Sequence, residues 1–115
     1  MKLITTLLLV TVLAGCTTYS HHNPYLQNAD SKQAFFAACQ TKMKTKLPTA
    51  SGIKFGKGYL LKSHVPVTAV YRTAVHYTLN GTGKNTHMTC FGYHDGTPNT
   101  DDIYVRYTRD DEKHQ

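Results

Sequence analysis

The chain has 115 residues, of which 40% are hydrophobic and 17% are charged, and its formal net charge at pH 7 is +6. This length leaves room for one small globular domain and excludes an arrangement of several domains. The excess of positive charge favours anionic partners.

An apolar run opens the chain. Lys2 supplies one positive charge, and residues 3–13 are aliphatic apart from three threonines. Eleven residues rise about 16 Å as a helix, which is too short for the roughly 30 Å hydrocarbon core of a bilayer. The run therefore predicts a secretory signal peptide rather than a membrane-spanning helix.

The run ends in Leu13-Ala14-Gly15-Cys16, which resembles the lipobox of bacterial lipoproteins. The resemblance implies that residues 1–15 are a lipoprotein signal peptide and that Cys16 becomes the first mature residue, with diacylglycerol on its sulfur and an acyl chain such as palmitate on its amine. Several acyl chains together anchor a protein durably. Thr17 stands where inner-membrane lipoproteins often carry Asp, so the resemblance implies the periplasmic side of the outer membrane. The alternative is an ordinary signal peptide beside an incidental cysteine.

Residues 16–29 are rich in polar side chains and contain little to bury, so we expect a flexible tether behind the lipidated cysteine. His21-His22 lies within this segment. Two ligands on a mobile tether make a poor site for a transition metal, and a solvated linker is the simpler interpretation.

A helix is predicted over residues 31–46. Asp30 can cap its amino end, Gln33 can complete a capping box, and Pro48 ends the segment. Apolar residues recur at spacings of three and four and form an amphipathic stripe, with Phe35 beside it. The stripe comprises Phe36, Cys39, Met43 and Leu47.

Beyond Gly52 the hydrophobic period changes to two, which predicts strands. The first strand covers residues 53–61 with an interruption around Gly56 and Gly58. The second covers residues 65–79, the third 84–93 and the fourth about 102–108, and residues 80–83 form a four-residue hairpin loop.

The three cysteines are accounted for by one lipid anchor and one disulfide. With Cys16 assigned to lipid, Cys39 and Cys90 remain, and in an oxidising periplasm they are expected to pair. The bond joins a helix to a strand, so Cys90 must face the helix. A four-residue loop satisfies this requirement and places Val75 opposite Met88, Thr73 opposite Cys90 and His76 opposite His87.

These elements predict an α+β domain over residues 30–109, in which one amino-terminal helix packs on an antiparallel sheet of about four strands. Residues 110–115 are interpreted as an acidic tail. No cofactor is predicted, because the sequence contains no recognisable cofactor motif.

Catalytic and metal-binding patterns are weak. Residues 31–94 contain no Asp or Glu, so no histidine there has an acid near it in sequence, and the carboxylates of 101–102 and 110–112 are interpreted as solvated charge. His76, His87 and His94 match no established zinc spacing, although His76 and His87 are weak metal candidates. We therefore predict no metal, no catalytic residues and no enzymatic activity.

Charge is the strongest functional signal. Residues 31–94 carry eight lysines and Arg72, whereas residues 95–115 carry six acids against three bases. We expect a non-enzymatic binding or accessory protein of the cell envelope whose partner is an envelope protein, a glycan or an anionic lipid. Nucleic acid has suitable charge but lies in the wrong compartment. The residues favoured for an anionic partner are Lys54, Lys57, Lys62 and Arg72.

Three other interpretations stay open. The protein could be an inhibitor, immunity or exclusion lipoprotein directed at an envelope enzyme or at incoming DNA or phage, or it could be a small envelope hydrolase. The basic charge could also serve solubility alone, because Lys42, Lys44 and Lys46 do not share one helix face.

Overall fold

The computed structural model describes residues 23–62 and 67–112. Within these ranges lie one α-helix, five strands and three single-turn 3-10 helices. The helix is α1 (Ala29–Thr45), and the strands are β1 (Ser51–Phe55), β2 (Tyr59–Leu61), β3 (Ala69–Leu79), β4 (Thr82–Gly92) and β5 (Tyr104–Tyr107). The 3-10 helices are Pro24–Leu26, Thr100–Asp102 and Asp110–Glu112.

The predicted signal peptide, the lipobox and His21-His22 lie outside the described residues. In the described part, no helix is long and apolar enough to cross a membrane. The predicted second strand began at residue 65, and residues 63–66 are likewise outside the description.

The amino end of α1 differs from the prediction. Asn28, not Asp30, is the capping residue, and its side-chain oxygen accepts a hydrogen bond of 2.8 Å from the N–H of Ser31. Asp30 lies inside the first turn. Asn28 has the extended backbone that a cap requires, whereas Asp30 is already helical, so the predicted Asp30–Gln33 capping box is wrong.

The described fold also begins before residue 30. Asn23 is 1% exposed and Leu26 belongs to the hydrophobic core, so part of the segment expected to be a tether is packed against the domain. The Asn23 side chain donates to the carbonyl oxygens of Val67 and Tyr93, at 2.9 and 3.1 Å. These bonds attach the start of the described chain to the sheet.

One face of α1 is buried against the sheet. Buried side chains recur every four residues, at Phe35, Cys39, Met43 and Leu47, as an apolar stripe at helical spacing requires. Phe36 is half-buried beside them, and its ring stacks on Tyr71 of β3 with centroids 4.2 Å apart. The predicted stripe is confirmed at Cys39, Met43 and Leu47, whereas its first buried residue is Phe35 rather than the predicted Phe36, which lies at its flank.

The sheet is antiparallel, in the order β1-β3-β4-β5, and β2 also pairs with β3. β1 and β2 therefore lie end to end along β3, separated by the predicted interruption at residues 56–58. Gly58 is needed at this break, because a Cβ there would overlap the ring of Tyr71. The Tyr71 hydroxyl accepts a hydrogen bond from Gln40 of α1, so the ring is held between helix and sheet.

The β3–β4 hairpin has a two-residue turn rather than the predicted four-residue loop. Asn80 and Gly81 both have positive φ, 52° and 77°, as a type I′ turn requires. Residues 82 and 83 consequently join the ladder, and every predicted pair shifts by two: Cys90 lies opposite Tyr71, and Thr73 lies opposite Met88. A shift of two preserves the face of each side chain, so Cys90 still points to the helix.

The predicted disulfide is confirmed. Cys39 and Cys90 are bonded, their Cα atoms are 5.9 Å apart, and both residues are fully buried. The bond passes through the hydrophobic core between α1 and β4. The domain is therefore the predicted α+β arrangement, one helix packed on an antiparallel sheet and cross-linked to it.

Candidate functional site

The face of the sheet that points away from α1, hereafter the outer face, presents charged side chains. Successive strand residues alternate between faces, and Cys90 points to the helix, so His87 points outward together with its cross-strand partner Ala74. By the same alternation His76 points outward, and Lys54 of β1 lies directly opposite it. The outer face thus brings together residues from three strands.

Two adjoining depressions on the outer face form what we call the trough. The larger, of about 530 Å³, lies along the break between β1 and β2 and is lined by Gly56, Lys57, Tyr59, Arg72, Thr73, Ala74, His76 and His87. The smaller, of about 400 Å³, lies towards the hairpin turn and is lined by Gly52, Lys54, His76, Tyr77, Thr78, Gly83, Lys84 and Asn85. His76 lines both, so the two depressions adjoin at this residue.

The trough is basic. Lys54, Lys57 and Lys84 are exposed along it, as are His76 and His87, and no Asp or Glu of the described residues lines either depression. Cations without a carboxylate among the same lining groups create a positive potential in a concave surface. The arrangement can attract and hold an anion.

An exposed aromatic ring borders the larger depression. Tyr59 of β2 is 54% exposed, and the Lys57 ammonium lies 5.8 Å from the centroid of its ring. The contact is a cation–π arrangement and places a flat ring beside a positive charge. Tyr59 and Lys84 were not singled out from the sequence, because their place in the trough depends on a strand register that the sequence did not reveal.

The sequence predicted that the two outer histidines, His76 and His87, lie opposite each other on neighbouring strands. In the structure they do not. Because of the shorter turn, His76 lies opposite Asn85, to which its Nδ1 is hydrogen-bonded, and His87 lies opposite Ala74. In the described part of the chain, no group of three or more His, Cys, Asp or Glu side chains is placed to hold a metal ion. His94 lies beyond β4, at the opposite end of the hairpin from its turn.

His94 has a hydroxyl neighbour but no triad geometry. The Thr68 hydroxyl lies 3.4 Å from its Nδ1. The carboxylate of Asp102 accepts the main-chain N–H groups of Tyr93 and His94, at 2.7 and 3.0 Å, rather than orienting the imidazole. These contacts close the turn after β4, where Tyr93 adopts a positive φ of 54°.

Arg72 lines the trough but is buried, with 9% of its surface exposed. Its Nε donates to the Thr89 hydroxyl at 3.1 Å, its Nη1 donates to the carbonyl of Glu112 at 2.9 Å, and its Nη2 lies 3.4 Å from a carboxylate oxygen of Glu112. The sequence suggested an exposed cation for an anionic partner. The structure instead places this guanidinium in an internal network.

Glu112 is the centre of that network. Arg106 binds both of its carboxylate oxygens at 2.7 Å, and the N–H of Arg109 donates to it at 2.9 Å. The hydrogen bonds from Arg106 lower the pKa of Glu112 from 4.5 to about 2, and those same bonds raise the pKa of Arg106. Glu112 is buried, so it is not the solvated charge that the sequence favoured, whereas Asp110 and Asp111 are exposed.

Lys62 is exposed but does not line the trough. It follows Leu61, which pairs with Val70 near the start of β3, whereas the trough extends towards the other end of that strand. Of the four residues favoured for an anionic partner, the structure therefore brings Lys54 and Lys57 to one exposed surface, buries Arg72 beside it and places Lys62 apart.

Comparison of the chain with protein-family models, with curated proteins and with solved structures finds no match.

Proposed function

We propose that this chain is a lipoprotein, anchored to the outer membrane through Cys16, that faces the periplasm and binds an anionic envelope partner in the trough without catalysing a reaction. The observation that carries the proposal is the convergence of three lysines and two histidines on one concave surface whose described lining contains no carboxylate. The proposal for Cys16 rests on the lipobox-like order Leu13-Ala14-Gly15-Cys16.

The physical basis of binding is electrostatic attraction. Exposed ammonium groups raise the local concentration of anions and accelerate encounter, and they do so less as salt rises. Screening shortens from about 10 Å at 0.1 M salt to about 3 Å at 1 M. Arg72 takes no direct part in this proposal, because Glu112 already occupies its guanidinium.

The test compares two triple charge reversals. One replaces Lys54, Lys57 and Lys84, in the trough, by Glu. The matched control replaces Lys42, Lys44 and Lys46, which are exposed on or just after α1 on the other side of the sheet, by Glu. Binding of each protein to isolated envelopes is measured at several ionic strengths. We expect the trough variant to lose the salt-sensitive binding and the α1 variant to keep it, and equal binding by both would overturn the proposal.

The anchor is tested separately. Wild type should incorporate labelled palmitate and partition with membranes, whereas Cys16→Ser should do neither. Equal labelling of the two proteins would remove the anchor from the proposal and leave the trough experiment unaffected.

A further inference from the structure

The described chain starts at one end of the domain and the trough lies towards the other. Asn23 is bound to the carbonyls of Val67 and Tyr93, which flank the paired ends of β3 and β4. The hairpin turn is at the opposite end, ten residue steps along β3, or about 34 Å away. His76, which both depressions share, is seven steps from Ala69, or about 24 Å.

The proposed lipid on Cys16 would attach the domain to the bilayer by its Asn23 end. Seven residue steps separate Cys16 from Asn23, and a fully extended chain of that length spans at most about 25 Å. Attachment at the Asn23 end leaves the hairpin end, with Lys54 and Lys84, as the part of the domain farthest along the sheet from the point of attachment.

Exposed carboxylates lie at the membrane-proximal end. Asp95 and Asp101 follow β4 there, in the turn held by Asp102. Hydrogen bonds from the side chain and the N–H of Thr97 lower the pKa of Asp95. Asp111 is also exposed, on the segment that covers Arg72. Lys32, Lys62 and Arg109 also lie towards this end, and Arg109 is paired with Asp111, so the surface nearer Asn23 has mixed charge and attracts anionic headgroups less than the trough does.

The lining of the trough fits a sugar polymer better than a protein. Protein interfaces are centred on apolar and aromatic anchors that become fully buried. The trough instead offers ammonium, imidazole, amide and hydroxyl groups, with Tyr59 as an exposed ring at its border. Its two depressions adjoin at His76 and follow β3 towards the hairpin turn, an elongated arrangement that suits a strand more than a compact ligand.

We propose that the anionic partner is a glycan strand bearing carboxylates, held in the trough at the hairpin end and away from the anchoring bilayer. This inference rests on the proposed function. Lys54, Lys57 and Lys84 supply charge for the carboxylates, and the polar lining supplies hydrogen bonds for sugar hydroxyl and amide groups.

The experiment uses the mature chain from residue 16 with Cys16→Ser, which retains every described core residue and has no lipid of its own. Three probes are used in sedimentation: insoluble peptidoglycan, the same peptidoglycan with its carboxylates converted to amides, and vesicles of phosphatidylcholine and phosphatidylglycerol. Each probe is tested with three proteins: the chain carrying Cys16→Ser alone, the same chain with the three trough lysines replaced by Glu, and the same chain with Lys42, Lys44 and Lys46 replaced by Glu. We expect binding to untreated peptidoglycan that falls at least about tenfold on amidation or on trough reversal, and not on α1 reversal.

The outcomes separate the two proposals. Trough-dependent binding to the vesicles, with none to peptidoglycan, would overturn the glycan inference while the trough stands as an anion site. Undiminished binding to amidated peptidoglycan would overturn carboxylate recognition. Trough and α1 variants that behave alike on all three probes would overturn the glycan inference, whereas the proposed function falls only if the two variants also bind isolated envelopes equally.

Discussion

The two faces of the sheet are stabilised by different interactions. The helix face is apolar, with Phe35, Met43, Val75 and Met88 fully buried around the Cys39–Cys90 disulfide. The outer face is polar, and its buried part is a network of two arginines, Glu112 and threonine hydroxyls. Apolar burial is non-directional, so a register predicted two residues out still assigns each side chain to the correct face, whereas an ion-pair network requires particular partners in particular places.

The outer face is itself divided. At one side Glu112 neutralises the charge around Arg72 and Arg106, and the carboxyl-terminal 3-10 helix covers them. At the other side the lysines of the trough are exposed, with no carboxylate among the described lining residues. The arginines thus serve the fold, and the lysines are the cations that a partner can reach.

The largest expected effect concerns the helix face. Replacing Cys39 and Cys90 together by Ala should lower the free energy of unfolding by about 4 kcal/mol, because the bond closes a loop of 51 residues in the unfolded chain. Denaturant unfolding of both proteins measures the change. Wild type treated with reductant is the control and should lose a similar amount. A loss below about 1 kcal/mol in both would show that the helix face is held by packing alone.

The next effect tests the outer face. Glu112→Gln removes the charge that two arginines share and should cost about 3 kcal/mol, because breaking a largely buried ion pair leaves cations uncompensated. Asp111→Asn is the matched control, since Asp111 is 79% exposed and its ion pair with Arg109 is long, at 3.8 Å. It should change stability by less than about 0.5 kcal/mol. An equal loss of unfolding free energy in the two variants would show that the Glu112 ion pairs contribute no more than exposed ion pairs do.

The same residue predicts a pH dependence. Arg106 depresses the pKa of Glu112 from 4.5 to about 2, so the charged form stabilises the fold. For a depressed carboxyl this stabilisation is complete above the unfolded-state value and is lost as the pH falls through the folded-state value. The difference in unfolding free energy between wild type and Glu112→Gln should therefore narrow between pH 4.5 and 2. A difference that stays constant over this interval would contradict the assignment.

The break between β1 and β2 contacts both faces of the sheet, because Gly58 lies against Tyr71 on the helix face and Lys57 lines the trough on the outer face. A substitution at this break should have a smaller effect on stability. Gly58→Ala would force a Cβ against the Tyr71 ring, which is stacked on Phe36. Displacing a packed ring typically costs about 2 kcal/mol. Gly83→Ala is the control, because a Cβ there meets no atom within 4 Å. Thermal unfolding of both variants should show a marked decrease in stability for Gly58→Ala alone.

Local patterns predicted the helix face well. The spacing of Cys39, Met43 and Leu47 and the alternation along β3 are properties of short stretches, although Phe35 and not Phe36 is the fully buried aromatic residue of the stripe. The disulfide follows once one cysteine is assigned to lipid. The length of the turn was predicted wrongly. Asn80 and Gly81 alone form the type I′ turn, and residues 82 and 83, whose polar and glycine composition is typical of a loop, are paired with β3 as part of β4.

The outer face was less predictable because its partners are distant in sequence. Arg72 and Glu112 are 40 positions apart, and no spacing rule connects them, so the arginine was assigned to a partner and the glutamate to solvent. Lys54 and Lys57 could be singled out as basic residues, but their meeting with Lys84 depends on β1 and β4 flanking β3. Composition identified the charge, and tertiary pairing decided which charges are exposed.

The smallest expected effect tests where the helix face begins. Asn28→Ala removes the side-chain oxygen that accepts the Ser31 N–H and should cost about 1 kcal/mol, as the loss of an amino-terminal cap typically does. Asp30→Ala is the matched comparison. Because Asp30 lies inside the first turn, it should cost only about 0.3 kcal/mol through the helix dipole. Chemical denaturation of the two single variants gives the ranking, and a larger loss for Asp30→Ala would restore Asp30 as the cap and contradict a helix start capped by Asn28.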